Sequence, residues 1–186
     1  MPFEFVETEI RGVIKIRIGE FKDERGYFAE IWKRSEFKKH GIPVDFTQCN
    51  RSFSKRGVVR GLHLQREPHE QGKLVFVISG AIFDVAVDIR PTSPDFGKYV
   101  STELSQEGYS MMWIPPGFAH GFMALEDSYV SYEVTKEYNK EAESGIIWND
   151  PDINIRWPKL KPLVSKKDSM LPTFRTYIDS LLRAER

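Results

Sequence analysis

The chain has a single cysteine, Cys49, among its 186 residues. One thiol cannot close an intrachain disulfide, so no disulfide framework is expected, and a reducing cytoplasm suits the chain. Long apolar runs are missing as well. The opening "MPFEFVETEIRG" is broken by charges, and no later run approaches the roughly 20 residues that cross a bilayer, so neither a leader nor a membrane span is expected. Neither sign of charge is in excess, because 27 Lys+Arg balance 27 Asp+Glu. Such a chain sets up no overall field for polyanions. That argues against a general nucleic-acid binder and leaves room for a local basic pocket that takes a small anion. A Gly-rich dinucleotide-binding turn is also lacking.

What is present points to β-structure. Apolar residues make up 40% and charged residues 29%, an ordinary balance for a globular protein long enough to bury a substantial core. No repeat, linker or low-complexity tract divides the chain, so residues 1–186 read as a single domain. The runs "VIKIRI" (Val13–Ile18), "KLVFVIS" (Lys73–Ser79), "AIFDVAVDI" (Ala81–Ile89), "YVSTEL" (Tyr99–Leu104) and "SYVSYEVT" (Ser128–Thr135) are short and rich in β-branched and aromatic residues. With "VDFTQCNRSF", "VVRGLHL" and "HGFMAL" they predict about nine to eleven strands. Strands without helical patterns between them favour an all-β antiparallel sandwich or barrel. "RSEFKKHG" (Arg34–Gly41) predicts a short surface helix ended by glycine. "TFRTYIDSLLRAER" predicts a C-terminal helix whose stripe of Phe174, Tyr177, Ile178, Leu181 and Leu182 packs on its own domain.

Side chains alternate along a strand, which sorts the polar residues by face. Phe83, Val85, Val87 and Ile89 fall on one face of their run, and Ile82, Asp84, Ala86 and Asp88 on the other. The acid-bearing face is either a solvent side or a buried polar side, and the letters leave both open. Gln48 and Asn50 share a face opposite Cys49, His63 goes with Gly61 and Gln65, and Tyr132 goes with Val130 and Val134. A small barrel that turned Gln48, Asn50, His63 and Tyr132 inward would have a polar interior. Such a cavity favours a ligand, because burying polar groups empty is costly.

Three uses of His63 are open: metal ligand, general base, or ordinary hydrogen-bonded residue. Metal-binding cupins, which are small β-barrels, place two histidines one residue apart, then an acid, then a third histidine after a "PxG" turn. "PPGFAH" (Pro115–His120) has the last part, but Leu64 and Gln65 follow His63 where the second histidine belongs. His63, His120 and Asp84 make too thin a set for zinc or iron, so no metal is expected. The residue types then suit proton transfer. An imidazole can accept a proton at neutral pH, a phenol such as Tyr132 or Tyr138 can return one, and a lysine such as Lys73 can stabilise an enolate oxygen. A structural histidine and core tyrosines would account for the same letters.

Longer motifs narrow this. "NRSFSKRGVVRGLHLQREPHEQGKLVFVISGAIFDVAVDIRPTSPDFGKY", "WIPPGFAHGF", "YEVTKEYNKEAESGIIWNDPDINIRWP" and "SKKDSMLP" follow one another, with "FKDERGYFAEIW" nearer the start. In these motifs, and in their order, the chain resembles the dTDP-4-dehydrorhamnose 3,5-epimerase family over essentially its whole length. The resemblance implies a cupin-like antiparallel barrel or jelly roll, and epimerisation of dTDP-4-dehydro-6-deoxy-D-glucose at C3 and C5. It implies no cofactor, a dTDP-4-keto-6-deoxy sugar as substrate, and a homodimer.

By the same resemblance, His63 corresponds to the general base and Asp168 to the carboxylate paired with it. Tyr132 corresponds to the proton donor on the opposite face, Lys73 to the cation near the 4-keto oxygen, and Tyr138 to the ring that stacks on thymine. Arg25, Glu30, Gln48, Asn50, Arg60, His120, Glu143 and Lys167 correspond to substrate contacts, with Arg25 and Glu30 on a segment supplied by the neighbouring subunit. Arginine forks suit the two-oxygen faces of a diphosphate. The chain departs from the family's common residues at Cys49, Arg51, Leu64 and Glu133. Packing effects are expected from Cys49 and a small change of charge near Tyr132 from Glu133. Relatives with this frame include 3-monoepimerases and 3,4-ketoisomerases. Outside them stand a non-catalytic nucleotide-sugar-binding cupin and a metal-dependent cupin oxygenase.

Overall fold

Two antiparallel sheets lie face to face and enclose the main core between them. The coordinates are those of a computed structural model, and they describe residues 2–107 and 110–184. In chain order the strands are β1 (Phe3–Glu7), β2 (Ile14–Ile18), β3 (Phe21–Asp23) and β4 (Gly26–Phe28), followed by α1 (Arg34–Lys39). Next come β5 (Gln48–Ser54), β6 (Val58–Gln65), β7 (Lys73–Ser79), β8 (Ala81–Asp88) and β9 (Tyr99–Ser105). Then follow β10 (Met111–Ile114), β11 (Phe118–Ala124), β12 (Ser128–Val134), β13 (Glu143–Gly145) and β14 (Leu163–Val164). A 3₁₀ turn (Asp168–Met170) and α2 (Phe174–Ala184) close the described chain. The first sheet has the order β1-β2-β10-β7-β12-β5 and the second β13-β6-β11-β8-β9, with β14 added parallel to β6 and a separate hairpin β3-β4. All eight runs expected as strands are strands. The count of fourteen among the described residues exceeds the expected nine to eleven through short pieces such as β3, β13 and β14, which are too brief to show a period.

Alternation explains the layers. Val75, Val77, Met112, Ile114 and Val130 from the first sheet meet Ile82, Ala86, Val100, Leu104, Phe118 and Phe122 from the second in the central core. The outer face of the second sheet buries Leu62, Leu64, Val85, Val87 and Ala119 under Ile146, Ile153, Ile155 and α2. Phe174, Tyr177, Ile178 and Leu181 of the helix stripe pack there, as expected, while the side chain of Leu182 lies outside the described residues. Thr173 starts α2 by accepting the Thr176 amide on its hydroxyl at 3.3 Å, which satisfies one of the amides orphaned at a helix start. The outer face of the first sheet is covered in part by α1, whose Phe37 is fully buried beside Ile16, Met111 and Trp113. That helix ends where glycine was expected to end it. Gly41, at φ +72°, lets its own amide reach Lys38 O and the Ile42 amide reach Phe37 O, both at 3.1 Å. These two bonds form a Schellman end, and Ile42 and Phe37 make its apolar contact.

One irregularity bears on function. On β11, His120 pairs with His63 and Phe122 with Arg60, so two residues of β11 span three of β6. Strict alternation would set Arg60 and His63 on opposite faces; the extra residue lets both face inward. Gly61, at φ +120°, is where the bend occurs, and a Cβ there would stand 2.6 Å from the Gly121 Cα.

Candidate active site

Inward-facing positions of both sheets collect the expected residues at one end of the core. From the second sheet come His63 on β6, His120 on β11 and Asp84 on β8, because His120 is directly opposite both His63 and Ala86, an inward residue. From the first sheet come Tyr132 on β12, which packs against the central core, and Lys73, which shares the face of Val75 and Val77 on β7. Asn50 and Gln48 stand directly opposite Tyr132 and Val134, so they also face inward, and Cys49 is exposed on the other side. His63 and Tyr132 therefore border one space from facing sheets.

His63 is tied to Asp168 across 105 residues of sequence, its Nε2–H donating to Oδ1 at 2.8 Å. Asp168 is buried in its 3₁₀ turn, and the Gly61 amide donates to its second oxygen at 3.3 Å. Burial would raise this carboxyl, but the hydrogen bond and charge of His63 and the Gly61 amide hold it below its usual range. The imidazole is 37% exposed, and its Nδ1 has no hydrogen-bond partner among the described residues. With Nε2 carrying the proton, Nδ1 is a free base aimed away from Asp168.

Lys73 and Tyr132 have the opposite balance, since nothing close compensates their burial fully. Burial brings the Lys73 ammonium down to about 8, against the charge of Asp84, and its Nζ donates to the His63 carbonyl at 3.3 Å. Burial raises the Tyr132 phenol, with the nearby Arg60 charge pulling the other way, so the phenol keeps its proton at neutral pH. Arg60 is fixed by Ser54 Oγ at 3.0 Å and Phe53 O at 3.1 Å.

A second cluster adjoins the first at the rim. Lys167 donates to Glu143 Oε1 at 2.5 Å, and the Tyr138 hydroxyl donates to Oε2 at 2.9 Å. Lys167 lowers the Glu143 carboxyl, and Glu143 raises the Tyr138 phenol. Gln48 accepts the Tyr138 amide at 2.8 Å and donates to Asn50 Oδ1 at 2.8 Å, which anchors the loop that displays the Tyr138 ring, itself 52% exposed. An exposed aromatic ring beside a cation is a surface on which a base can stack.

Two expected residues are elsewhere. Arg25 lies in the turn between β3 and β4 and pairs with Asp23, and Glu30 follows β4 and lies 3.8 Å from Lys33. Neither has a described contact with the His63 cluster. Their surroundings are apolar and open, with Phe21, Tyr27, Phe28 and Ile31 all more than half exposed.

One open alternative is decided and one expectation is corrected. Of the two readings left open for the acid-bearing face, the buried polar side is the one found at Asp84: the carboxyl is fully buried and accepts from His120 Nε2 at 2.7 Å. Glu133 does not alter the charge beside Tyr132, because it stands opposite Cys49 and Leu74 on the other face of the sheet. Of the three groups weighed as metal ligands, each histidine directs Nε2 to a separate carboxylate, and no three-ligand cluster forms among the described residues. The residue that sequence reasoning passed over is Asp84 as a partner of His120. Its signal was the acid in the middle of an otherwise apolar strand.

The family model described as dTDP-4-dehydrorhamnose 3,5-epimerase matches residues 7–176. The dTDP-4-dehydrorhamnose 3,5-epimerase of Sinorhizobium fredii is 49% identical over 91% of this chain and 88% of its own. A crystal structure of the dTDP-6-deoxy-D-glucose-3,5-epimerase of Legionella pneumophila, in complex with dTDP-4-keto-L-rhamnose, superposes with a TM-score of 0.91. It is 39% identical over 96% of both chains. A 3'-monoepimerase from Streptomyces bikiniensis in complex with dTDP-quinovose superposes with a TM-score of 0.88 at 29% identity, over 94% of this chain and 90% of its own. With inward polar residues set in two jelly-roll sheets and matches spanning nearly its whole length, this chain belongs to the dTDP-4-dehydrorhamnose 3,5-epimerase family.

Proposed function

We propose that this chain converts dTDP-4-dehydro-6-deoxy-D-glucose to dTDP-4-dehydro-L-rhamnose, a step of dTDP-L-rhamnose biosynthesis, with His63 and Tyr132 moving the protons. His63 Nδ1 removes the hydrogen at C3 or C5, and the C–H electrons pass through the new C=C bond onto the 4-keto oxygen. Lys73 stabilises the negative charge that builds there, and Asp168 stabilises the imidazolium. The Tyr132 hydroxyl then delivers a proton to the opposite face of the carbon, which inverts it; the imidazolium releases its proton to solvent, and the phenolate is refilled from solvent. One proton leaves and one returns, so the balance calls for no redox cofactor. The observation that carries this reading is His63, held by Asp168 at 2.8 Å, facing inward from one sheet while Tyr132 faces inward from the other.

Arg60 would hold the diphosphate, with Gln48, Asn50, His120, Glu143 and Lys167 as further contacts and Tyr138 stacking on thymine. Arg25 and Glu30 would reach the site only from a second copy, whose exposed β3-β4 hairpin carries the apolar surface such an interface needs. The active species is accordingly a homodimer of single-domain chains, residues 1–186, working in the cytoplasm.

Proton NMR of the substrate incubated with the enzyme in deuterated water tests the reaction. Deuterium at both C3 and C5 is expected. Deuterium at C3 alone would replace this reading with monoepimerisation, which the likeness to a 3'-monoepimerase makes the second reading. No exchange at either carbon would leave only a binding protein.

A further inference from the structure

Asp84 takes no part in the proton transfers just described, yet it is the acid set deepest among the groups that do. Its side chain is fully buried in the middle of β8, on the face that looks between the sheets. Oδ1 accepts from His120 at 2.7 Å, whereas Oδ2 is buried with no hydrogen-bond partner among the described residues. A carboxylate oxygen buried without a donor is unfavourable on its own and calls for positive charge nearby, felt strongly because water is excluded.

Lys73 is the buried cation of this cluster: it contacts His63, which stands opposite His120, the partner of Asp84. The lysine is 7% exposed and donates to the His63 carbonyl. The titratable groups around it are His63 with Asp168 behind it, Asp84 on β8, His120 on β11 and Tyr132 on β12. Asp168 is already committed to His63, which leaves Asp84 as the anion that offsets the burial of Lys73.

We propose that Asp84 is a positioning residue, whose buried carboxylate keeps Lys73 charged and holds His120 in one orientation where the enolate oxygen forms. The proposal rests on the reaction given above.

The test is ¹³C NMR of protein labelled at lysine Cε, with the Lys73 resonance identified by its loss in Lys73→Met. Asp84→Asn keeps the shape and can still accept from His120, but it removes the charge. Its Lys73 should lose about tenfold in proton affinity, and the alkaline limb of kcat should move to lower pH with it, while KM changes less than about twofold. Asp84→Glu keeps the charge, and its Lys73 should titrate at the wild-type pH. Wild-type titration of Lys73 in Asp84→Asn would overturn the proposal. If Asp84→Asn does not fold, Asp84→Glu decides, and a shift of its lysine to lower pH overturns it equally. Failure of both variants to fold would assign the carboxylate to the core and not to the reaction. The NMR reading needs no turnover, so a wild-type protein that exchanges no deuterium counts against the reaction alone.

Discussion

His63 and His120 stand directly opposite each other on neighbouring strands, yet their Nε2 atoms engage different carboxylates, Asp168 at 2.8 Å and Asp84 at 2.7 Å. The side chains are 37% and 8% exposed, so His63 is the more open of the two on its free side. Burial holds His120 below the ordinary imidazole value, against the pull of Asp84, which keeps it neutral beside Lys73. One register thus yields two imidazoles with different partners and at different depths.

In the proposed reaction, His63 removes hydrogen and Tyr132 inverts the carbon from the facing sheet. His63→Ala should lower turnover by about 10²–10⁴-fold and abolish deuterium uptake while dTDP still binds. Tyr132→Phe should still exchange deuterium through His63 but yield little inverted product, because the proton returns to the face it left. NMR of recovered sugar nucleotide distinguishes the two. Inversion at the wild-type rate in Tyr132→Phe would remove the phenol from the mechanism.

Asp168 also links stability to acid. Its folded carboxyl lies below its unfolded value, so its contribution is present above the unfolded value of about 4 and is lost as pH falls through the folded one. Wild type should therefore be more stable than Asp168→Asn at about pH 6, with the gap closing toward about pH 2. Urea unfolding across that range measures it, and a gap independent of pH would show that Asp168 stabilises by packing alone.

Lys73 acts with the opposite sign at the alkaline end. Its folded value of about 8 lies below the ordinary 10.5, so between those limits the unfolded chain binds more protons there and stability rises with pH. The rise from this one buried group amounts to about 3 kcal/mol. Lys73→Met should be more stable than wild type at about pH 7 and lose that advantage by about pH 10. Turnover should fall above about pH 8, as the ammonium is lost. A wild-type curve parallel to that of the variant would contradict the burial of a charged lysine.

The bend at Gly61 can be tested by a single methyl group. Gly61→Ala would force a Cβ to within 2.6 Å of the Gly121 Cα and 2.7 Å of the His120 carbonyl, at a φ of +120° that alanine resists. Folded yield should drop sharply, and any folded fraction should have lost most of its turnover because Arg60 and His63 no longer face inward together. By contrast, Phe37→Ala removes a fully buried ring on the outer face of the first sheet, in a cluster with Ile16 and Met111. It should cost about 3–5 kcal/mol in urea unfolding and leave kcat of the folded enzyme unchanged.

Much of this architecture was legible in local patterns. The eight apolar runs became strands because β-branched and aromatic residues between turn residues have few other ways to bury one face. The glycine after "RSEFKKH" ended its helix through two amide bonds that need φ above zero. Alternation correctly grouped Gln48 with Asn50 and Tyr132 with Val130, since the side-chain period along a strand is two whatever the strand packs against.

Other features depended on which strands meet. Nothing within "IFDVAVDI" says that both of its faces are buried, and Asp84 lies inside because the first sheet covers the face it shares with Ile82 and Ala86. Alternation also separated Arg60 from His63, and only the one-residue slip against β11 reunited them. The pairing of His63 with Asp168 spans 105 residues, a distance over which local propensity carries no information. The amino-acid sequence by itself therefore determined the elements and the parity of each strand, because those follow from neighbours along the chain. Tertiary structure alone decided which polar faces look at one another and how deeply each lies, because burial and charge coupling arise only when distant strands exclude water together.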